Sequence, residues 1–450
     1  GNMHPTNEGA IQGSDIQAFQ EAFAANPRNT LAMNAVTRSG IGPVAIRREV
    51  LARTDHTYSH WIQTPEATNQ KASGRCWLFA GLNTLRLKAM QRLGLEKFEL
   101  SQAYLMFWDK VEKANYFYEN ILATLDEPLD GRLLMWLLAQ PLSDAGQWDM
   151  LVNLIEKYGV VPKAVMPESF SSSASAHMNG VLTARLRADA RQLRAMAADG
   201  ATVDDLRVAK AEMMSRFYGM VVIHLGPPPM QFHWEWRDKD EVFHRHGEIT
   251  PQAFFRTYVG VDFADYVCLI NAPTDDKPFN RLYTVQYLGN IVGGYPVRYL
   301  NVPVDVIKRA AAQSIVEGEA VWFGADVGKQ WARDEGILHD ALYDYGLVIG
   351  IPDGLDKAAR LDYGESKMNH AMVFTGVDID DDGNPTKWRV ENSGGTEMGD
   401  KGFMTMSDGW FSEYLYEVVV HRRYLDDQVL AVLEQEPIVL PPWDPMGALA

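Results

Sequence analysis

Cysteine is almost absent from these 450 residues: Cys76 and Cys268 are the only two, more than 190 positions apart. That excludes the disulfide framework of a small secreted domain. Positive charge is scarce as well, with 42 Lys and Arg against 59 Asp and Glu, a formal net charge of −17. Tracking along nucleic acid or an anionic membrane needs the opposite balance, so neither is an expected partner. No apolar run reaches the roughly 18 residues that a membrane helix needs, and no secretory signal pattern is present. Gly1 ahead of Met3 reads as an expression remnant, and the expected location is the cytoplasm.

The common metal and phosphate signatures are missing too. There is no His-Glu-x-x-His pair, and the glycines near Lys329 (Gly324 and Gly328) do not have phosphate-loop spacing. His244 and His246 would share a strand face, but spacing places no third ligand beside them. Asp378, Asp380, Asp382 and Gly383 mimic the start of a calcium loop until its twelfth position, which is Arg389 instead of a glutamate. No metal and no cofactor is expected.

What is present is the stretch Asn69-Gln70-Lys71-Ala72-Ser73-Gly74-Arg75-Cys76-Trp77-Leu78-Phe79-Ala80. Cys76 follows a Ser-Gly-Arg turn and opens an apolar run at helical spacing, through Leu82 and Leu85 to Met90. A thiol at a helix N-terminus meets unpaired N–H groups and the positive end of the helix dipole, which favour the thiolate. Gln70 supplies an amide donor that a tight loop can fold back beside the sulfur, the beginning of an acyl-transfer site. Downstream, helical patterns run over Leu100 to Ala114, Phe117 to Leu125, Leu133 to Leu142, Gln147 to Tyr158 and Leu182 to Ala198. Another begins at Thr202, a cap with Asp205 at the third helical position. Ser169 to Ala176 reads as a surface loop. From Asn369 the period changes to two, and Asn369 to Val377 with Lys387 to Ser393 form a hairpin pattern. Its open ends bring His370 near Asn392.

Gln70 with Ser73-Gly74-Arg75-Cys76-Trp77 and Phe79-Ala80 resembles the nucleophile segment of papain-like cysteine peptidases. Ser73 stands where secreted members carry a disulfide-forming cysteine, which suits a reducing compartment. Met368-Asn369-His370-Ala371-Met372 and Val390-Glu391-Asn392-Ser393 resemble the histidine and asparagine segments of the bleomycin hydrolase and bacterial aminopeptidase C family. So do Leu100-Ser101-Gln102, Gly146-Gln147-Trp148-Asp149-Met150 and the ending from Pro442 to Ala450. The resemblance selects His370 from 11 histidines, which spacing alone does not.

It implies an α+β, papain-like two-lobe fold, a helical lobe plus a β-barrel-like lobe, with large and mostly helical insertions. The expected division is an N-terminal arm at 1–60, the nucleophile lobe at 61–280, the His and Asn lobe at 281–435, and a C-terminal arm at 436–450 entering the cleft. The implied activity is that of a cysteine aminopeptidase acting on peptides with a free N-terminus. Cys76 is the nucleophile, His370 the base and Asn392 its orienting partner. Gln70 and the Cys76 N–H hold the oxyanion, and the Ala450 carboxylate meets the substrate ammonium. Self-association as a homohexamer is implied as well. Two departures stand out: Gly394 in place of the family's Trp, and Asn369 in place of Thr. The first motivates the alternative, a catalytically impaired homologue with a peptide-binding or structural role.

Overall fold

The computed structural model describes residues 7–449; Gly1 and Ala450, both given roles above, lie outside them. The chain opens with two helices, Gly13–Ala24 and Pro27–Ser39, neither of which buries a residue. The long helix Cys76–Leu93 follows and is the hub of a helical layer made with Gln102–Ala123, Trp148–Tyr158, Ala176–Ala198 and Val203–Leu225. Local chemistry sets several of these ends. Thr202 accepts from the Asp205 N–H at 3.1 Å while Asp205 accepts from the Thr202 N–H at 3.0 Å, a capping box that stabilises a helix start by about 1 kcal/mol. Gly94, at φ +68°, ends the Cys76 helix in the left-handed conformation.

Two sequence expectations need correction. The patterns over Leu100–Ala114 and Phe117–Leu125 are one helix, Gln102–Ala123, because nothing at Asn115-Tyr116 breaks the backbone ladder. Ser169–Ala176 is not a solvent loop. Phe170–Ser173 is a helical turn with Ser172 buried, and Ser175 is buried next to it.

The second layer is a mixed sheet of 12 strands. At its centre Leu415–His421 lies between Tyr266–Ile270 and Val321–Ala325, and beyond these come His370–Ile379, Pro385–Glu391 and Phe403–Ser407. Alternation along the strands builds two cores. Ala371 and Val373 face the helices with Cys268, Ile270, Trp77, Phe107 and Trp322. Met372 and Phe374 face the other side with Val267, Leu269, Trp388 and Phe411. Helices cover both faces, the long ones against the first core and Val304–Val316 with Asp408–Tyr414 against the second; with most strand pairs antiparallel, the class is α+β. Among the described residues no helix is long and apolar enough to cross a membrane.

Candidate active site

The loop before Cys76 is fixed from several sides. The Gly74 N–H donates to Asp144 Oδ2 at 2.9 Å, and a Cβ on Gly74 would lie 3.0 Å from the Asp144 Cβ. Asp144 also accepts from Ser175 Oγ (2.5 Å), Asn179 Nδ2 (2.9 Å) and the buried Lys110 ammonium, and these contacts together hold its carboxyl well below the usual range despite burial. Ala72 pairs with the Ser172–Ser175 turn, donating to Ser173 O at 2.9 Å and accepting from the Ser175 N–H at 3.1 Å. Arg75 is fully buried and grips Glu168 with two bonds of 2.9 and 2.6 Å, while its Nε reaches Ser73 Oγ at 2.8 Å. This bidentate pair, with the Arg75–Ser73 bond, clamps the loop just ahead of Cys76.

Cys76 is the first residue of its helix and is fully buried. Burial pushes its thiol up to about 11; the N–H groups of Ala371, Trp77 and Cys76 itself pull the other way but less strongly. The expectation that the helix end makes a thiolate is therefore corrected. The effect is present in the right direction, and desolvation outweighs it.

His370 begins its strand and pairs in register with Ala325. The neighbouring Ala371 N–H is directed at the Cys76 sulfur, which sets the start of this strand against the start of the Cys76 helix. His370 Nε2 lies 2.9 Å from Asn392 Oδ1, and the same oxygen accepts the Ser393 N–H at 2.9 Å. Two contacts on one atom identify it as the amide oxygen, so Nε2 carries the proton and Nδ1 is left as the acceptor. Burial lowers the His370 pKa, and the Asn392 bond offsets part of that.

Gln70 is bound to the residue after Asn392. Its N–H donates to Ser393 O at 2.8 Å, and its side-chain Oε1 accepts from Ser393 Oγ at 2.5 Å. Its Nε2 uses one hydrogen on Ser73 O at 2.8 Å, and an amide nitrogen has two. Asn69 bridges Gly394 in the same way. Asn369 is tied down as well, donating to Asp326 Oδ1 at 2.9 Å and Val327 O at 3.0 Å and accepting from the Val327 N–H at 2.8 Å.

A cavity of about 380 Å³ adjoins the site, lined by Gly146 and Gln147, by Met368, and by Gly447, Ala448 and Leu449 of the C-terminal arm. The arm is anchored along its length. Ile438–Leu440 pairs with Arg281–Val285, the Arg132 guanidinium stacks 3.8 Å from the Trp443 ring centre, and Asp444 pairs with buried Lys277 at 2.9 Å. Of the five residues picked from the sequence, Cys76, His370, Asn392 and Gln70 adjoin one another through these contacts, and Ala450 is outside the described residues. His244 and His246 lie elsewhere, bonded to Asp238 and the Tyr258 hydroxyl, and no group of three or more metal-ligating side chains occurs among the described residues. Arg75 and Lys110 fall within stretches that carried the resemblance, but no role was read for them; Asp144 and Glu168 were not picked out.

A family model described as "Peptidase C1-like family" matches residues 10–447. The chain is 46% identical to human bleomycin hydrolase, over 98% of this chain and 99% of that protein. It is 48% identical to aminopeptidase C of Streptococcus thermophilus, over 95% and 96%. The crystal structure of PepW from Lactobacillus rhamnosis superposes with a TM-score of 0.97 at 47% identity, covering 98% of this chain and all of that one.

Proposed function

The chain belongs to the Peptidase C1-like family, and from that premise we propose that it is a cysteine aminopeptidase working through Cys76, His370 and Asn392. The observation that carries this reading is the His370–Asn392 bond at the strand start whose next N–H meets the Cys76 sulfur. Burial disfavours the thiolate and the imidazolium when either stands alone. Proton transfer from sulfur to Nδ1 creates thiolate and imidazolium together, each compensating the other. The thiolate attacks the scissile carbonyl, and the imidazolium protonates the departing amine. His370 then takes a proton from water to release the acyl group and regenerate the thiol. The second Gln70 amide hydrogen and the Cys76 N–H are the oxyanion donors, and loss of one such donor costs about 2.7–4 kcal/mol in the chemical step.

The arm residues that line this cavity support an aminopeptidase over an endopeptidase, since an arm lying there would obstruct a longer chain. The Ala450 carboxylate is then the charge that meets the substrate ammonium. The same reading keeps 1–60 and 436–450 as arms on lobes at 61–280 and 281–435. Self-association is supported by the opening helices, with six as the number that the resemblance implies. They expose Ile16, Phe19, Phe23, Leu31 and Met33 with Leu347, Ile349 and Ile351 also exposed, an apolar expanse that a monomer seldom leaves to water.

Turnover of an aminoacyl fluorogenic substrate is the direct test. Cys76→Ala and His370→Ala, with melting curves matching the parent, should show no activity above background, and Cys268→Ala should stay close to normal. Hydrolysis by folded Cys76→Ala at more than a small percentage of the parent rate rules the mechanism out.

A further inference from the structure

Arg86 and Glu391 form an ion pair of 2.8 Å with side chains 4% and 1% exposed. Arg86 belongs to the Cys76–Leu93 helix, and Glu391 is the last residue of the strand that runs into Asn392. The contact thus joins the element carrying the thiol to the neighbour of the residue that orients the base. Such a pair is a poor source of stability, because desolvating two ions costs about as much as their attraction gains. Here the balance is worse than usual. Arg86 Nη1 reaches Phe98 O only at 3.3 Å, its Nε finds no acceptor, and burial pushes the Glu391 carboxyl up against the pull of Arg86 and Arg389.

Its position is what distinguishes it. The paired register of the strand ends at Glu391, opposite Val373 on one side and Phe403 on the other. One residue further on, the Asn392 N–H reaches Gly402 O at a long 3.3 Å. The backbone therefore holds Asn392 loosely where its side chain has to meet His370 closely. Ser393 and Gly394 are tied to the loop at 69–70, and Glu391 alone in this run is tied to the helix. Arg86 also donates to Glu66 O at 3.0 Å, upstream of that loop. A guanidinium fork spans these directions; a lysine ammonium on its flexible stem does not fix them.

We propose that Arg86, through Glu391, is a positioning residue that holds Asn392 and the His370 ring in register with the Cys76 helix. This rests on the roles given above to Cys76, His370 and Asn392. It predicts a defect in the chemical step, separable from stability, when the pair is removed without leaving a buried charge behind.

The test uses the full-length protein carrying Cys268→Ala, so that one thiol reports. The rate of Cys76 alkylation by iodoacetamide is followed against pH together with kcat, KM and thermal melting. The parent should show a His370-dependent limb that His370→Ala removes. If it does not, the dyad reading fails and the proposal falls with it. Arg86→Met/Glu391→Gln should melt close to the parent. Its kcat should fall ~10- to 100-fold with KM within about twofold, as slight misplacement of reacting groups does, and its alkylation limb should shift. Glu391→Gln, nearly isosteric and expected to fold, keeps a weaker neutral bond and should lose kcat roughly fivefold with a smaller shift. If either folded variant keeps the parent kcat and the parent limb while the parent's limb depends on His370, the dyad stands and the positioning role is overturned.

Discussion

At Gly394 a Cβ would lie 3.1 Å from the Met398 Cε and 3.2 Å from Asn392 Nδ2. The remaining space, lined by Trp331, Met398 and Met404 along with Asn392, is a cavity of about 10 Å³, room for one water at most. The sequence suggests that losing the family's indole leaves the Asn392–His370 bond wet, and that Gly394→Trp raises activity if the cavity admits the ring. The structure argues against this: Met398 and Trp331 line the space beside Asn392, and even a Cβ at Gly394 needs Met398 or Asn392 to give way. Gly394→Trp should therefore lower kcat/KM by displacing Met398 or Asn392. Met398→Ala, which opens the cavity to water, should lower it severalfold while leaving folding cooperative. Kinetics on both variants alongside melting curves check this; a gain in Gly394→Trp means the indole has a home that the packing does not show. The impaired-homologue alternative loses its motive here. Local chemistry made Cys76 and Gln70 legible as candidates, and the family resemblance selected His370 and Asn392. Met398 and Arg86 were not legible, because each acts by contact with a residue whose approach no local period encodes.

Among the elements, the C-terminal arm carries the sharpest expectation. Its prolines set an extended path, and Trp443 and Asp444 fix it to Arg132 and Lys277, so its last residues are held as a wall of the cavity. Deleting residues 447–450 should lower turnover of peptides with a free N-terminus and open activity on acetylated ones. Matched substrate pairs measure this, once light scattering shows the parent and truncated proteins to have the same oligomeric state; a truncated enzyme that still ignores acetylated peptides means the arm is not the gate. The clamp on the other side of the site is the Arg75–Glu168 pair. Glu168→Ala leaves a fully buried guanidinium without its carboxylate and should destabilise the protein by about 3–5 kcal/mol, read as a lower denaturant midpoint. Element boundaries were legible wherever a cap is local, as at Thr202 and Asp205. The turn at Phe170–Ser173 was not, because Ser175 and Asn179 are held by Asp144, more than 30 residues earlier.

For the molecule as a whole, the weak point is the centre of the sheet. Glu417 is fully buried with neither carboxyl oxygen meeting an N–H or O–H donor, next to Asp149 and Cys268. Burial, with the Asp149 charge adding to it, raises the Glu417 pKa well above its usual value, and burial raises Asp149 to about 6. A carboxyl raised on folding stabilises most below its unfolded pKa and loses that contribution as pH rises through its folded value. Melting temperature should thus decline from mildly acidic towards alkaline pH. Glu417→Gln should flatten that slope, since every tenfold change in an acid constant on folding is worth ~1.4 kcal/mol. An unchanged slope in a folded Glu417→Gln variant means the group does not titrate there. The run Glu391–Gly394 has a consequence of another kind. Its four residues fasten the Cys76 helix, the His370 ring, Gln70 and Asn69, yet nearly three hundred residues of chain separate Cys76 from His370. A ribosome delivers the thiol long before it delivers the base. Through most of its synthesis the nascent chain carries a nucleophile without its base, and a product that terminates before His370 has no peptidase chemistry.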